Sequence, residues 1–585
     1  MLDCLMHRGP DELGTFYADN FAMGITRLAI VNVDFGQQPV QDLHNKYVVV
    51  FNGEIYNFRE LRKIYADELR KYWVKSTISE AELIAFLFNK FDKDFVHKLR
   101  GMFAIAIWNK HSSSLTLIRD RFGEKPVWYY HREGQFLFAS EIKAFKSFNL
   151  PLTLNLNSIN DIFQYGYICP PKSIFNEIHC VPAGSILTVT KDGVDVSKYW
   201  NLYRNSQNNI SKMEAYDSVE SALSSAVELQ CYSERDFGLY LSGGVDSSLI
   251  AFYLQNNFNT PIKTYSIDFH ELKYDESEMS LKVSKVLGTN HKSFFLDPSQ
   301  ENLKEVFDSL DQPFADSSFF ATYFLNKFAR EDGIVVAFGG DGGDESFIGY
   351  DRYRAIYLAQ RFALPIHVAR VLISTLFSPF VKRNRIFKAL SLSDDLSSLY
   401  EQFIVLNNPH FLKNLINTEF QYNSNPMTRG VILSEVEDFV RFDLNTYLPG
   451  DILVKSDLAS MANSIELRSP FLDHEYFQTA ASIPLKYRVN TRHSKILLKE
   501  IATKNLKGID FYRKKMGFGI PRAEWLRGPL AKYSREILLG DDCKNRGWLN
   551  QNYLREIIDE HELGADHDNV IWPALVLESW ANKWF

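Results

Sequence analysis

FGLYLSGGVDSSLIAFYL, Phe237 to Leu254, decides the fold of the larger part of this chain. An apolar run, Phe237 to Leu241, breaks at Gly243 and Gly244, and a helical pattern, Leu249 to Leu254, follows. Strand, glycine turn and helix in that order are the unit from which parallel sheets are built. The turn also carries chemistry. Gly243 and Gly244 let backbone amides approach phosphate oxygens with no Cβ in the way. The helix N-terminus beyond them adds partial positive charge for an anion. Ser242, Ser247 and Ser248 offer hydroxyl donors. No GK[ST] follows, so this is not a Walker loop. A loop without lysine suits a pyrophosphate leaving group better than γ-phosphoryl transfer. A Gly-Gly turn that only caps a helix is the plainer reading. The run of strand, SGG, acid, double serine and helix favours the phosphate site.

The same pattern continues outward. IKTYSIDF (Ile262 to Phe269) and IVVAFGGDGGDES (Ile334 to Ser346) each join an apolar run to a polar or Gly-rich turn, as a parallel sheet wrapped by helices requires. Beyond about residue 350 the chain reads mostly helical. Upstream, residues to about 200 read as strands and turns. VVVFNGEIYN (Val48 to Asn57) runs into a Gly turn, FAIAIWN and LTLIRD form a hairpin over Phe103 to Asp120, and QFLFASEIKAF (Gln135 to Phe145) adds a strand. SILTVTKDGVDVSKYW (Ser185 to Trp200) is a second hairpin with Asp-Gly at its turn. Only Ile78 to Phe91 is strongly helical, with Ser79 as cap and Glu82 completing a capping box. The polar stretch at 200–212 divides the chain into domains 1–200 and 212–585.

A length of 585 residues predicts more than one domain. Lys and Arg number 65 against 72 Asp and Glu, a net charge of −7, so no basic excess recommends nucleic acid or a membrane surface. The five cysteines, Cys4, Cys169, Cys180, Cys231 and Cys543, are scattered and lack zinc spacing, which predicts free thiols in the cytoplasm. MLDCLMHRGPDELG has no long apolar core and is not a secretory signal. The apolar stretch Phe362 to Phe380 is interrupted by His367, Arg370 and two prolines, and reads as a buried or amphipathic helix rather than a membrane span.

SGGVDSS resembles the pyrophosphate loop of the ATP-pyrophosphatase superfamily. Further motifs along nearly the whole chain are similar to asparagine synthetases of the glutamine-hydrolysing kind. The resemblance implies an ATP site at Leu241, Ser242, Gly243, Gly244, Asp246, Ser247 and Ser248, with the backbone of Ile267 reading adenine. VAFGGDGGDESFIGY, Val336 to Tyr350, looks like the second ATP loop. Gly339 and Gly340 then lie beside the adenylate, and Asp341 is the acid linked to forming it. Asp246 and Asp344 would hold Mg²⁺, a hard ion suited to oxygen ligands. Gly339 stands where many members have Ser, and Ser346 and Ile348 also depart from the common form. QPFADSS supplies Asp316. DILVKSDLASMANSIELRSPFLDH, Asp451 to His474, places Lys455 facing the phosphates. RKKMGFGIP, Arg513 to Pro521, places Lys515 beside departing pyrophosphate, where it would neutralise charge or transfer a proton.

HRGPD, RLAIVNVD, FNGEIYNFREL, LRGMFAIAIWN and RDRFGEKPVWYY, between His7 and Tyr130, look like the class II glutamine amidotransferase domain. The implied fold is an N-terminal-nucleophile sandwich, αββα, preceding the α/β ATP-pyrophosphatase domain with its helical C-terminal region. By resemblance Arg27 pairs with the glutamine α-carboxylate, Asn52 and Gly53 form the oxyanion hole, and Glu54 lies beside the substrate. Glu80, where the family usually has Asp, holds the α-amino group. The family's nucleophile is a Cys directly after the initiator Met, on a strand that precedes HRGPD. Here MLDC stands just before HRGPD, so the sandwich is expected to lack its first strand and a nucleophile, and the chain as written not to hydrolyse glutamine. Cys4, within a helix-like segment, reads as a small buried residue.

The expected reaction is amidation of aspartate through an acyl-adenylate, with ATP and Mg²⁺, nitrogen coming from glutamine in the family or from free ammonia. Amidation of another carboxylate, such as a sugar uronic acid, is the alternative, and a β-lactam-forming relative a third. A scaffold role for the first half is the reading from a different class. Only small-molecule partners are implied, and a homodimer is compatible.

Overall fold

The computed structural model describes residues 1–73, 78–202, 209–269, 271, 277–361, 385–407, 409–417, 427–513 and 519–585. The reading of Phe362 to Phe380 lies outside these residues.

In the first half the strand Tyr47–Ile55 shows why two layers form. Its side chains alternate. Tyr47, Val49 and Phe51 pack with Ile84, Leu87 and Phe88 of the helix Glu80–Phe91. Val48 and Val50 point to the opposite face, with Met23, Leu117, Val127 and Leu187. The strand is a member of a six-stranded antiparallel sheet, in the order Gly193–Lys198, Ser185–Thr190, Ser114–Arg119, Gly101–Asn109, Tyr47–Ile55, Val40–Gln41. The hairpin Glu12–Ala18/Phe21–Arg27 and a three-stranded sheet (Gln135–Ala139, Trp128–Arg132, Ile178–Cys180) make the second layer. Trp128 and Tyr130 turn outward onto Ile159, Ile162 and Phe163 of the helix Leu156–Tyr165. The layers are therefore helix, sheet, sheet, helix.

The capping box at Ser79 is present. The Glu82 amide donates to Ser79 Oγ at 3.3 Å, and the Ser79 amide donates to Glu82 Oε2 at 2.8 Å. Both expected hairpins form, with one shift of register. Thr190 pairs with Gly193, so Lys191 and Asp192 make the two-residue turn and Gly193 starts the returning strand. The strand begun at Gln135 stops at Ala139, and Ile142–Ser147 coils into a 3₁₀ helix. The short helices Phe58–Ile64 and Ala66–Tyr72 and the helix Leu156–Tyr165 were not expected. The last does carry a helical period, Leu156, Ile159, Ile162 and Phe163, and an Asn155 cap, which went unnoticed. Cys4 corrects the expectation made for it. It lies on the 3₁₀ helix Leu2–Arg8 but is exposed, and its neighbour Leu5 is the buried residue.

In the second half five parallel strands run in the order Asn290–Phe295, Lys263–Asp268, Phe237–Tyr240, Val336–Phe338, Glu466–Arg468. Helices cover both faces. Leu239, Val336 and Phe338 pack with the helices Lys212–Gln230, Val245–Asn257 and Ile496–Asn505. Tyr265, Ile267 and Ala337 belong to the other cluster, with Phe320 and Phe324 of the helix Ser318–Glu331. That cluster continues through the C-terminal helix Asp568–Trp584 to Ile162 and Phe163, so one apolar core joins the two halves.

Charge also crosses between the halves. Arg8 donates to Asp457 Oδ2 and Oδ1 at 2.8 and 3.0 Å and to Glu141 Oε1 at 2.9 Å. Burial alone would discourage its charge; the two carboxylates hold the guanidinium protonated beyond its ordinary range. Arg100 pairs with Asp473 through two bonds of 2.5 and 2.8 Å. Among the described residues no helix is long and apolar enough to cross a membrane.

Candidate active site

The strand order sets the place of the site. The first strand of the sheet in chain order, Phe237–Tyr240, lies between the second, Lys263–Asp268, and the fourth, Val336–Phe338. The connections leave it in opposite directions, which opens a crevice at the carboxyl ends of these strands. SGGVDSS follows the strand Phe237–Tyr240, and GGDGGD follows its neighbour Val336–Phe338. The two loops touch: a Cβ on Gly340 would lie 3.2 Å from that of Asp246, and one on Gly343 2.8 Å from Asp246 Cγ.

Gly243 has φ +71°, and a Cβ there would stand 2.6 Å from Met279 Cγ and 2.8 Å from the Ser280 amide nitrogen. Only glycine fits this left-handed turn against a backbone. Gly244 caps the helix Val245–Asn257, whose first amides open on the crevice. Ser242 Oγ lies 3.2 Å from Ser247 Oγ and accepts the Gly244 amide at 3.3 Å. Leu241 is buried, its amide bonded to Tyr265 O at 2.8 Å. Ser248 is fully buried, and its hydroxyl has no partner among the described residues. Tyr240 pairs with Tyr265, so the strand Lys263–Asp268 overhangs its neighbour and brings Ile267 above the loop.

Asp246 and Asp344, the expected metal pair, converge. Both stand 2.6 Å from the ammonium of Lys495, through Asp246 Oδ2 and Asp344 Oδ1. The other oxygen, Asp246 Oδ1, is buried without a partner. Two convergent carboxylates with a bare buried oxygen fit a hard cation. Lys495 went unnoticed in the sequence; only its position one residue before a helix was readable.

Beside this pair lies an acid-rich group. Asp341 Oδ2 accepts the Ser456 hydroxyl at 2.6 Å. Lys455 donates to Ser318 Oγ at 3.1 Å and lies 3.5 Å from Asp316 Oδ2. Burial disfavours the charge on Asp316, but Lys455 and Ser318 outweigh it and hold the carboxyl below its usual range. One helical turn before Lys455, Asp451 is buried, with Oδ1 unpartnered, and burial raises it well above a normal carboxylate. Gly339 donates its amide to Arg468 O at 2.9 Å, which ties the second loop to the last strand of the sheet. Lys515 and the segment Tyr274 to Glu276 lie outside the described residues.

The first half holds a separate cavity of 1380 Å³ between its two sheet layers. Arg27, Asn52, Gly53, Glu54 and Glu80 all line it. Arg27 is engaged: it donates to Glu12 Oε2 at 2.8 Å and to the carbonyls of Val31 and Asn32 at 3.0 and 2.9 Å. Gly53 has φ +129°, and a Cβ there would sit 2.1 Å from Met102 O. Glu80 Oε1 accepts the Ile55 amide at 2.8 Å. Glu54 is raised well above its usual value by burial, then by the charges of Glu80 and Glu466, with Arg468 opposing. None of the five cysteines lines the cavity.

Glu80 itself is pushed up to about 7, mainly by burial. The unfolded chain releases this proton near pH 4.5, while the folded chain keeps it to about pH 7. The residue's contribution to stability is therefore full below pH 4.5 and declines as the pH rises to about 7. Glu80→Gln is expected to remove that part of the slope. Urea unfolding of both forms across this window checks it; parallel curves for the two would refute it.

Residues 218–582 match the family model described as asparagine synthase, and residues 1–200 match the glutamine amidotransferase domain. The chain is 28% identical over 608 aligned positions to asparagine synthetase [glutamine-hydrolyzing] 1 of Bacillus subtilis, covering 99% of this chain and 92% of that protein. It is 25% identical to amidase chyE of Penicillium rubens, covering 96% and 90%. A solved structure of glutamine phosphoribosylpyrophosphate amidotransferase from B. subtilis overlaps 57% of this chain and 76% of its own, at 14% identity and a TM-score of 0.27.

Proposed function

Given that this chain belongs to the asparagine synthase family, and is thus an ATP-dependent amidotransferase ligase, we propose that it makes asparagine from aspartate through a β-aspartyl-AMP intermediate. The observation that carries this reading is the meeting of the two glycine-rich loops at the sheet's switch point, with the Asp341, Asp316 and Lys455 group beside them.

A carboxylate is a poor electrophile. In the first step the β-carboxylate oxygen bonds to the α-phosphorus of ATP, and the bond to the bridging oxygen breaks to release pyrophosphate. The amides at the start of the helix Val245–Asn257 receive the departing charge. Asp246 and Asp344 would hold Mg²⁺, which supplies charge neutralisation between phosphates. Ile267 seats the adenine by its backbone, and Lys455 faces the phosphates. In the second step ammonia adds to the acyl carbon, loses a proton, and AMP leaves. Lys515 transfers that proton, and Asp341, hydrogen-bonded to Ser456, is the acid linked to forming the adenylate. Lys515 assists departure of pyrophosphate.

The nitrogen donor is glutamine in the family, and free ammonia is the alternative. Arg27, Asn52, Gly53, Glu54 and Glu80 are gathered on one cavity, as glutamine binding requires.

With Mg²⁺, ATP and ammonium, aspartate is expected to yield AMP, pyrophosphate and asparagine in equal amounts. Pyrophosphate release read against a panel of acids decides the acceptor. Turnover of a uronic acid but not aspartate would replace the aspartate reading, an outcome the amidase-named relative and the Gly339 variant make worth including.

A further inference from the structure

Lys495 is more than one of several cations around the crevice. It is 4% exposed, and its ammonium spans the two carboxylates proposed to hold the metal, 2.6 Å from each. The backbone is arranged for it. Lys495 has φ +55°, a left-handed conformation that a residue with a β-carbon adopts at some cost. A Cβ on Gly349 would stand 2.2 Å from Lys495 Cε and 1.9 Å from Asp344 Oδ1, so the absence of a side chain there lets the lysine stem and the aspartate lie together.

We propose that Lys495 is the internal counter-cation of the Asp246–Asp344 pair, and that it makes divalent-metal binding depend on nucleotide. The inference rests on the metal-pair reading above. Asp246, Asp344 and Lys495 together carry one net negative charge, so half of the pair's charge is neutralised before any metal arrives. A divalent ion entering between the same oxygens meets an ammonium at van der Waals range, and like charges so close repel strongly in a buried site. The lysine must leave, and a buried ammonium leaves only toward another anion. The triphosphate provides that anion at the mouth of the neighbouring loop. Metal and nucleotide thus enter together, and Lys495 moves from carboxylates to phosphate oxygens as they do. It acts as a positioning residue for the metal pair and touches no reacting atom in the nucleotide-free state.

The test measures Mn²⁺ binding to the full chain by the paramagnetic resonance of the free ion, with and without a non-hydrolysable ATP analogue. Wild type is expected to bind weakly alone and tightly with the analogue. Lys495→Met is expected to bind Mn²⁺ alone about 10-fold or more tighter than wild type, because the competing charge is gone. Lys495→Arg keeps the charge and should stay weak. Thermal unfolding gives a second reading: Mg²⁺ alone should raise the midpoint of Lys495→Met and leave that of wild type unchanged. Equal nucleotide-free affinities for wild type and Lys495→Met overturn the inference while leaving the metal pair standing. If Lys495→Met does not fold, strong nucleotide-free binding by wild type overturns it equally. Absence of Mn²⁺ binding by either form with the analogue present overturns the metal pair itself and the inference with it.

Discussion

Arg8→Met is expected to lower the unfolding free energy by about 3 kcal/mol, the low end of what breaking a buried ion pair costs. Arg8, Asp457 and Glu141 have side-chain exposures of 4, 6 and 1%. Methionine matches the stem of arginine but leaves Asp457 without its two-bonded partner. Lys125, 3.8 Å from Asp457, and His7 and Lys143 beside Glu141 soften the loss, which is why the upper end of the range is not expected. Urea unfolding measures the change. Adding Asp457→Leu should restore part of it, since removing both charges spares the desolvation penalty of the remaining one. A change below about 1 kcal/mol, the scale of exposed pairs, would show that the clamp between the halves is not a structural determinant.

Gly243→Ala is expected to reduce pyrophosphate release by at least about 100-fold, the loss that a displacement near 1 Å brings to a positioned site. The added methyl meets the backbone of Met279 and Ser280 at 2.8 Å, so the loop cannot keep both its place and its φ of +71°. The amides of the phosphate cradle then move away from the anion. The sheet beneath does not depend on this turn for its core, so the thermal midpoint should fall by only a few degrees, about 1–2 kcal/mol of local strain. Undiminished activity in a folded variant would remove SGGVDSS as the phosphate site. Loss of folding is separated by the near-ultraviolet circular dichroism of the same sample.

Much of the local structure could be read directly from residue order. The box at Ser79 and Glu82 predicted its helix and the apolar run from Val48 to Phe51 its strand, because capping and strand propensity act over a few residues. Gly243 and Gly342 mark turns with positive φ for the same reason, whereas the turn expected at Gly53 is absent, the strand Tyr47–Ile55 running through it. Leu156–Tyr165 went unnoticed although Leu156, Ile159, Ile162 and Phe163 fall on one face, because ten residues hold fewer than three turns of the period. Cys4 was misjudged because the side of a short 3₁₀ helix that faces inward depends on what packs against it, here Leu5.

Residue order by itself determined that a strand, a glycine-rich turn and a helix recur along the second half, and that a β-rich half precedes them. These are consequences of covalent geometry and nearest-neighbour contacts. Tertiary structure alone decided which loops share a crevice, because strand order in a sheet is a choice among packings. It also set the charge partners: Lys495 reaches Asp246 across 249 residues, and Arg8 reaches Asp457 across 449. A buried charge needs a partner wherever the fold can supply one, and no spacing along the chain announces it.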